Sequence, residues 1–143
     1  MRFSEAKNLK VVSKVTAETV GKITDYVLNP ATGTVAALIL KKTSGAGDTL
    51  PWGDIAAFGD DAVIIADDNV IVSAAGELKE LGDKRHHADG KRVLNTAGVE
   101  LGAVQDVDFD TATGQILALD LKDGPLEAPK LLAIGSYAVV VAA

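Results

Sequence analysis

Short apolar runs separated by turn residues organise this chain. Residues 20–28, 35–40, 56–58 and 62–67 are rich in Val, Ile, Leu and Ala and are bounded by Gly, Asn, Asp or Pro, which predicts strands rather than helices. Val11-Val12 opens the series. Asn29-Pro30-Ala31-Thr32-Gly33 predicts a hairpin turn, begun by an Asx side chain and closed by a glycine at positive φ. Leu50-Pro51-Trp52 reads as a short edge strand, where proline is tolerated because an edge need not donate every N–H. Trp52-Gly53-Asp54-Ile55 predicts one helical turn, and Gly59-Asp60-Asp61 joins the last hairpin.

The whole pattern then repeats. A shift of 81 positions lays residues 10–41 on 91–122 without a gap, placing Val12 on Val93, Gly21 on Gly102, Asp25 on Asp106 and Ala31-Thr32-Gly33 on Ala112-Thr113-Gly114. Five residues are then deleted, and a shift of 76 lays Ile55-Ala56-Ala57-Phe58-Gly59 on Leu131-Leu132-Ala133-Ile134-Gly135. Gly21 and Gly102 mark a bulge or a close backbone approach. The division expected is a first repeat at 1–70, a linker at 71–90 and a second repeat at 91–143, with a short linker helix between Ser73 and Gly82. Units of this size bury only about 60% of their unfolded surface, so the two are expected to pack together as a pseudo-twofold pair, extended to a homodimer.

Composition narrows the possible functions. The 143 residues are 48% apolar but only 4% aromatic, and there is no cysteine, which excludes disulfides and thiol chemistry. The longest apolar runs, 35–40 and 138–143, fall far short of the roughly 20 residues of a membrane helix. MRFSEAKNLK lacks the features of a secretory leader, so a cytoplasmic location is expected. A net charge of −6 repels phosphate backbones, and no DNA partner is expected. Charge is uneven, however: residues 1–42 carry seven basic side chains against three acids.

No constellation reads as a reaction centre. Asp106-Val107-Asp108-Phe109-Asp110 spaces three carboxylates like the start of a calcium loop, but Thr111 replaces the turn glycine and Leu117 the bidentate acid. His86-His87 lacks convergent metal spacing, and Gly45-Ala46-Gly47 lacks the lysine and helix of a phosphate loop. Catalytic, cofactor and metal residues are therefore expected to be none, and the protein is read as no enzyme. The candidate partner-binding residues are Trp52 and Asp54, together with the basic cluster Lys84, Arg85, Lys91 and Arg92.

Three features together resemble the PRC-barrel family: Val20-Gly21-Lys22-Ile23-Thr24-Asp25 with its copy Leu101-Gly102-Ala103-Val104-Gln105-Asp106, the Asx-x-x-x-Gly turn, and Leu50-Pro51-Trp52-Gly53-Asp54-Ile55. The family is named for the cytoplasmic domain of the photosynthetic reaction-centre H subunit and shared with the C-terminal domain of a ribosome maturation factor. The resemblance implies an all-β fold: two tandem small antiparallel β-barrels packed together, with a short connecting helix. It implies an interaction module that binds a protein partner or itself. An RNA-processing or ribosome-associated accessory is the alternative, and a small-ligand or metal-binding protein a further one. The second copy reads Ala128-Pro129-Lys130-Leu131 where the first has its Trp-Gly-Asp turn, so a specific binding role is expected to follow this asymmetry.

Overall fold

Local turn chemistry sets the strand boundaries. The Asn29 Oδ1 accepts the Ala31 N–H at 3.0 Å, and the Asp110 Oδ1 accepts the Ala112 N–H at 2.7 Å, while Gly33 and Gly114 close these turns at φ +66° and +78°. The computed structural model describes residues 1–43, 45, 47–81 and 88–143. In the first half, strands β1 (Lys10–Ser13), β2 (Thr19–Asn29), β3 (Thr34–Lys41), β4 (Thr49–Pro51), β5 (Ile55–Phe58) and β6 (Ala62–Ile65) form a sheet in the order β4-β3-β2-β1-β6-β5. The second half repeats it as β10-β9-β8-β7-β12-β11, with β7 (Arg92–Asn95), β8 (Glu100–Phe109), β9 (Ile116–Leu121), β10 (Gly124–Glu127), β11 (Leu131–Ile134) and β12 (Ala138–Val141).

This order forces each sheet to roll up. In a flat sheet of this size the outer edges would lie about 24 Å apart at ~4.8 Å per strand. Yet β4 and β5 are opposite edges joined only by the 3-10 turn Trp52–Asp54, and three residues span at most roughly 11 Å. The sheet therefore curves until its edges approach, giving a barrel whose inner positions are filled by side chains. Pairing is antiparallel except between β1 and β6 and between β7 and β12, which are parallel because β6 and β12 return from the far edge to lie beside the first strand of their unit.

Register corrects the gapless repeat. Val11 lies opposite Gly21 and Val63, and Val93 lies opposite Gly102 and Val139, so Val93 matches Val11 and not Val12. Both are fully buried. The offset is 82 in the first strand and 81 from the second, so the β1–β2 turn is one residue longer than the β7–β8 turn. The first strands also lose register beside Val20, and a Cβ on Gly21 would stand 3.2 Å from the Leu40 Cδ1, so bulge and close approach both occur there.

One buried cluster runs through both halves, from Val11, Ile23, Leu28 and Leu38 to Val104, Phe109 and Leu119. Each such side chain contributes about 1.5–3 kcal/mol. The halves also share backbone bonds: the Val35 N–H donates to the Gly114 carbonyl at 2.8 Å and the Ile116 N–H to the Gly33 carbonyl at 2.9 Å. The linker helix α2 (Gly76–Leu81) lies within the segment expected for it.

A short helix α1 (Phe3–Ala6) packs on β8 of the other half, which the hydrophobic pattern did not foretell. Its one sequence signal is Glu5, whose carboxylate accepts the Arg2 N–H at 3.1 Å. The Phe109 N–H donates to the Met1 carbonyl at 2.8 Å, and the Met1 ammonium donates to the Phe109 carbonyl and to Asp108. Phe3 meets Tyr26 edge-on, ring centroids 4.3 Å apart. Among the described residues, no helix is long and apolar enough to cross a membrane.

Candidate functional site

Trp52 stands between the two halves. Its ring stacks on Phe58 at 5.8 Å and meets Phe109 edge-on at 6.0 Å, and Phe58 and Phe109 are themselves 5.5 Å apart. The Gly114 backbone lies under the indole so closely that a Cβ there would fall 2.9 Å from the ring. The ring is half-buried and lines one wall of a shallow cavity of about 230 Å³, with Phe58, Ala56 and Ala57 on one side and Thr111 and Ala112 of the second half on the other. The single tryptophan thus joins the halves, and its outer edge borders this cavity. Asp54, two residues on, is exposed.

Of the other sequence candidates, Lys91 and Arg92 fall among the described residues. Lys84 and Arg85, with His86 and His87, lie outside the described residues. Lys91 is half-buried in front of β7, where its carbonyl accepts the Val104 N–H at 2.9 Å. Arg92 is exposed; its guanidinium lies 4.5 Å over the Tyr137 ring, donates to the Tyr137 hydroxyl at 3.0 Å and pairs with Glu100 at 3.4 Å.

The alternating carboxylates of β8 are taken up within the chain. Asp106 accepts from the Ser4 N–H, the Ser4 hydroxyl and the Val107 N–H, while Asp108 pairs with the Met1 ammonium at 3.0 Å. Arg2 adds an ion pair to Asp120 at 3.0 Å. These acids hold α1 in place, and Asp110 serves its turn. Beside them a cavity of about 230 Å³ is lined by Ser4, Lys7, Asp25, Asp89 and Asp106. The Tyr26 hydroxyl donates to Asp89 at 2.6 Å, and burial, reinforced by the Asp89 charge, pushes the phenol well above its ordinary pKa.

A further feature follows from register alone. Lys10 pairs with Lys22, and Lys22 with Lys41, so three lysines form a row across β1, β2 and β3. They lie on the face opposite Val11 and Leu40, about 5 Å from one strand to the next. No ion pair joins them to an acid among the described residues. In the second half the row is broken, because Ala103 stands opposite Arg92. The basic bias of residues 1–42 signalled the charge, while the pairing that aligns it lies between strands.

Comparison with family models matches the PRC-barrel domain at residues 1–78 and again at 85–141. Comparison with curated proteins found no match.

Proposed function

The chain belongs to the PRC-barrel domain family, and from that membership we propose that it is a cytoplasmic, non-enzymatic interaction module that binds a protein partner or a second copy of itself through a barrel surface. The observation that carries this reading is the uneven distribution of exposed apolar side chains. Of the six large ones among the described residues, Val99, Leu117, Leu132 and Tyr137 belong to the second repeat. At two of these positions the first repeat has a small side chain, Ala36 in place of Leu117 and Ala56 in place of Leu132. Large apolar groups held in water on one repeat, where the other repeat folds with alanine, supply apolar area of the kind that a contact surface buries. Size-exclusion chromatography with light scattering, together with affinity capture on the intact chain, tests the reading. The expected result is a dimeric mass or a saturable partner, weakened when Leu117 and Leu132 are both replaced by alanine. A monomer that captures nothing above the level of that variant would overturn it.

The lysine row favours a second reading, an RNA-processing or ribosome-associated accessory, because Lys10, Lys22 and Lys41 present aligned positive charge to a phosphate backbone. Co-sedimentation with ribosomes at two salt concentrations tests it. Binding must fall as salt rises and must weaken in Lys22→Glu; salt-independent or unchanged sedimentation counts against it.

A further inference from the structure

The two barrels differ most at one end. Strand registers match Leu50 with Leu126, since they face Leu38 and Leu119, and match Ser13 with Asn95 and Val20 with Leu101. Ser13, Val20 and Leu50 are buried, whereas Asn95, Leu101 and Leu126 are all half-exposed. Part of the difference is visible in the chain that follows β6. Asp67 caps a 3-10 turn at Asp68–Val70, and Val70 and Ile71 pack against the core. Val72 then exchanges two backbone bonds with Thr49, at 2.9 and 2.8 Å, passing so close to Gly47 that a Cβ there would lie 2.6 Å from it. No described segment does the same for the second barrel. Its end opens into a cavity of about 430 Å³ lined by Leu101, Leu126, Pro129, Lys130 and Val141.

The rim of that opening has the polarity of a strand acceptor, displaced by two residues. The Ala128 N–H donates inward to the Leu117 carbonyl, and Leu126 pairs with Leu119, so Pro125 and Glu127 turn their backbone groups outward. Pro125 stands where Thr49 does and has no N–H to give, so the outward donor is that of Glu127. Charge is altered too. Where the first barrel has Asp54 the second has Lys130, whose carbonyl accepts the Ala142 N–H at 3.0 Å and whose side chain is exposed.

We propose that the open end of the second barrel is a docking groove for a short segment of a partner protein in which acidic residues precede β-branched ones, the chemistry that Asp67-Asp68-Asn69-Val70-Ile71-Val72 supplies to the first barrel. The apolar side chains fill the space over Leu101 and Leu126, the backbone bonds Glu127, and the acid meets Lys130. This rests on reading the chain as an interaction module and assigns that module a surface and a class of partner.

A synthetic peptide of residues 67–76 is the probe, titrated into the intact chain and followed by backbone amide chemical shifts. Saturable shifts at Leu101, Leu126 and Glu127 are expected, with affinity about tenfold weaker when Val70 and Ile71 of the peptide are replaced by serine. Lys130→Glu, an exposed change that leaves the core intact, should weaken binding several-fold and reverse the salt dependence of this contact, since added salt then screens a repulsion. Shifts confined to Thr49 and Val72 would mean the peptide only displaces the chain's own segment, and would overturn the proposal. So would concentration-dependent shifts at Glu127 without peptide, which would identify a second copy as the occupant. An absence of saturable shifts, with partner capture still lost in the Leu117/Leu132 double variant, would reject this groove while leaving the module reading standing.

Discussion

Thr34 and Gln115 face each other in an antiparallel bridge, although they are the same position of the repeat 81 residues apart. Two equivalent residues can meet in this way only on a twofold axis, so the pseudo-symmetry axis of the molecule passes between them. The flanking bonds, Val35 to Gly114 and Ile116 to Gly33, are each other's symmetry mates. The halves are thus joined at the tips of equivalent hairpins.

Symmetry fails one residue away, and the failure is measurable. Gly33 and Gly114 both hold positive φ, but a Cβ on Gly33 meets open space while one on Gly114 meets Trp52. Gly33→Ala should cost about 1–2 kcal/mol, the backbone penalty alone. Gly114→Ala should cost at least ~1 kcal/mol more, because the ring must move. In a Trp52→Ala background that excess should vanish, and denaturant unfolding of the four variants and the parent measures the coupling. Equal costs for the two glycines in the parent would show that the indole does not bear on Gly114.

Tyr26 links the halves through Asp89 and sets an alkaline limit on stability. Its phenol is held above the ordinary value by burial first and by the Asp89 charge second. Below about pH 10 the proton is bound in both folded and unfolded chains, so the contribution is complete. Above that, the unfolded chain ionises while the fold resists, and stability falls by up to about 1.4 kcal/mol per pH unit. Phenolate absorption from Tyr26 should therefore appear only as the fold opens. Tyr26→Phe should remove this slope and, by leaving Asp89 without its donor, cost about 1 kcal/mol at neutral pH.

What was legible in the sequence was the two-copy repeat, written as matching patterns 81 residues apart, and the local turn chemistry within each copy. The Asn29 and Asp110 turns, the Trp52–Asp54 helical turn and the tight approach at Gly21 each follow from a few adjacent residues, and each is present. What was not legible depends on distant partners. Trp52 carries no sign in sequence that it will rest on Gly114, and a four-residue helix at Phe3–Ala6 has too few positions to show a period. The first strand shows the limit of identity matching: Lys10 on Lys91 and Val12 on Val93 score better than the true offset, but burial requires Val11 and Val93 to be equivalent. A one-residue slip in a strand exchanges its two faces, so register is set by packing.

The lysine row should make the first barrel less stable than its topology permits. Like charges directly opposite one another on neighbouring strands are destabilising, and Lys22 has one on each side. Lys22→Glu converts both pairs to attractive ones and should raise stability by about 0.5–1 kcal/mol at low salt, with the gain shrinking as salt is added. Thermal denaturation at two ionic strengths measures it. A destabilised variant would mean that the lysine stem packs on the strand surface more than its charge repels.

Ala128 occupies the second barrel's counterpart of the Trp52 position and takes φ +46°, a left-handed conformation that disfavours any side chain. It is retained there because its N–H is committed to the Leu117 carbonyl at 2.8 Å and because the chain must turn from β10 into β11 within three residues. Glycine keeps that hydrogen bond and relieves about 1–2 kcal/mol of backbone strain, while losing about 0.5–1 kcal/mol to the greater freedom of the unfolded chain. Ala128→Gly should therefore raise stability by up to about 1 kcal/mol, seen as a higher denaturation midpoint with an unchanged denaturant slope. Ala128→Val should do the reverse, since a β-branched side chain tolerates this conformation least. If both substitutions lowered the midpoint equally, the alanine methyl would have to be contributing packing that outweighs its strain.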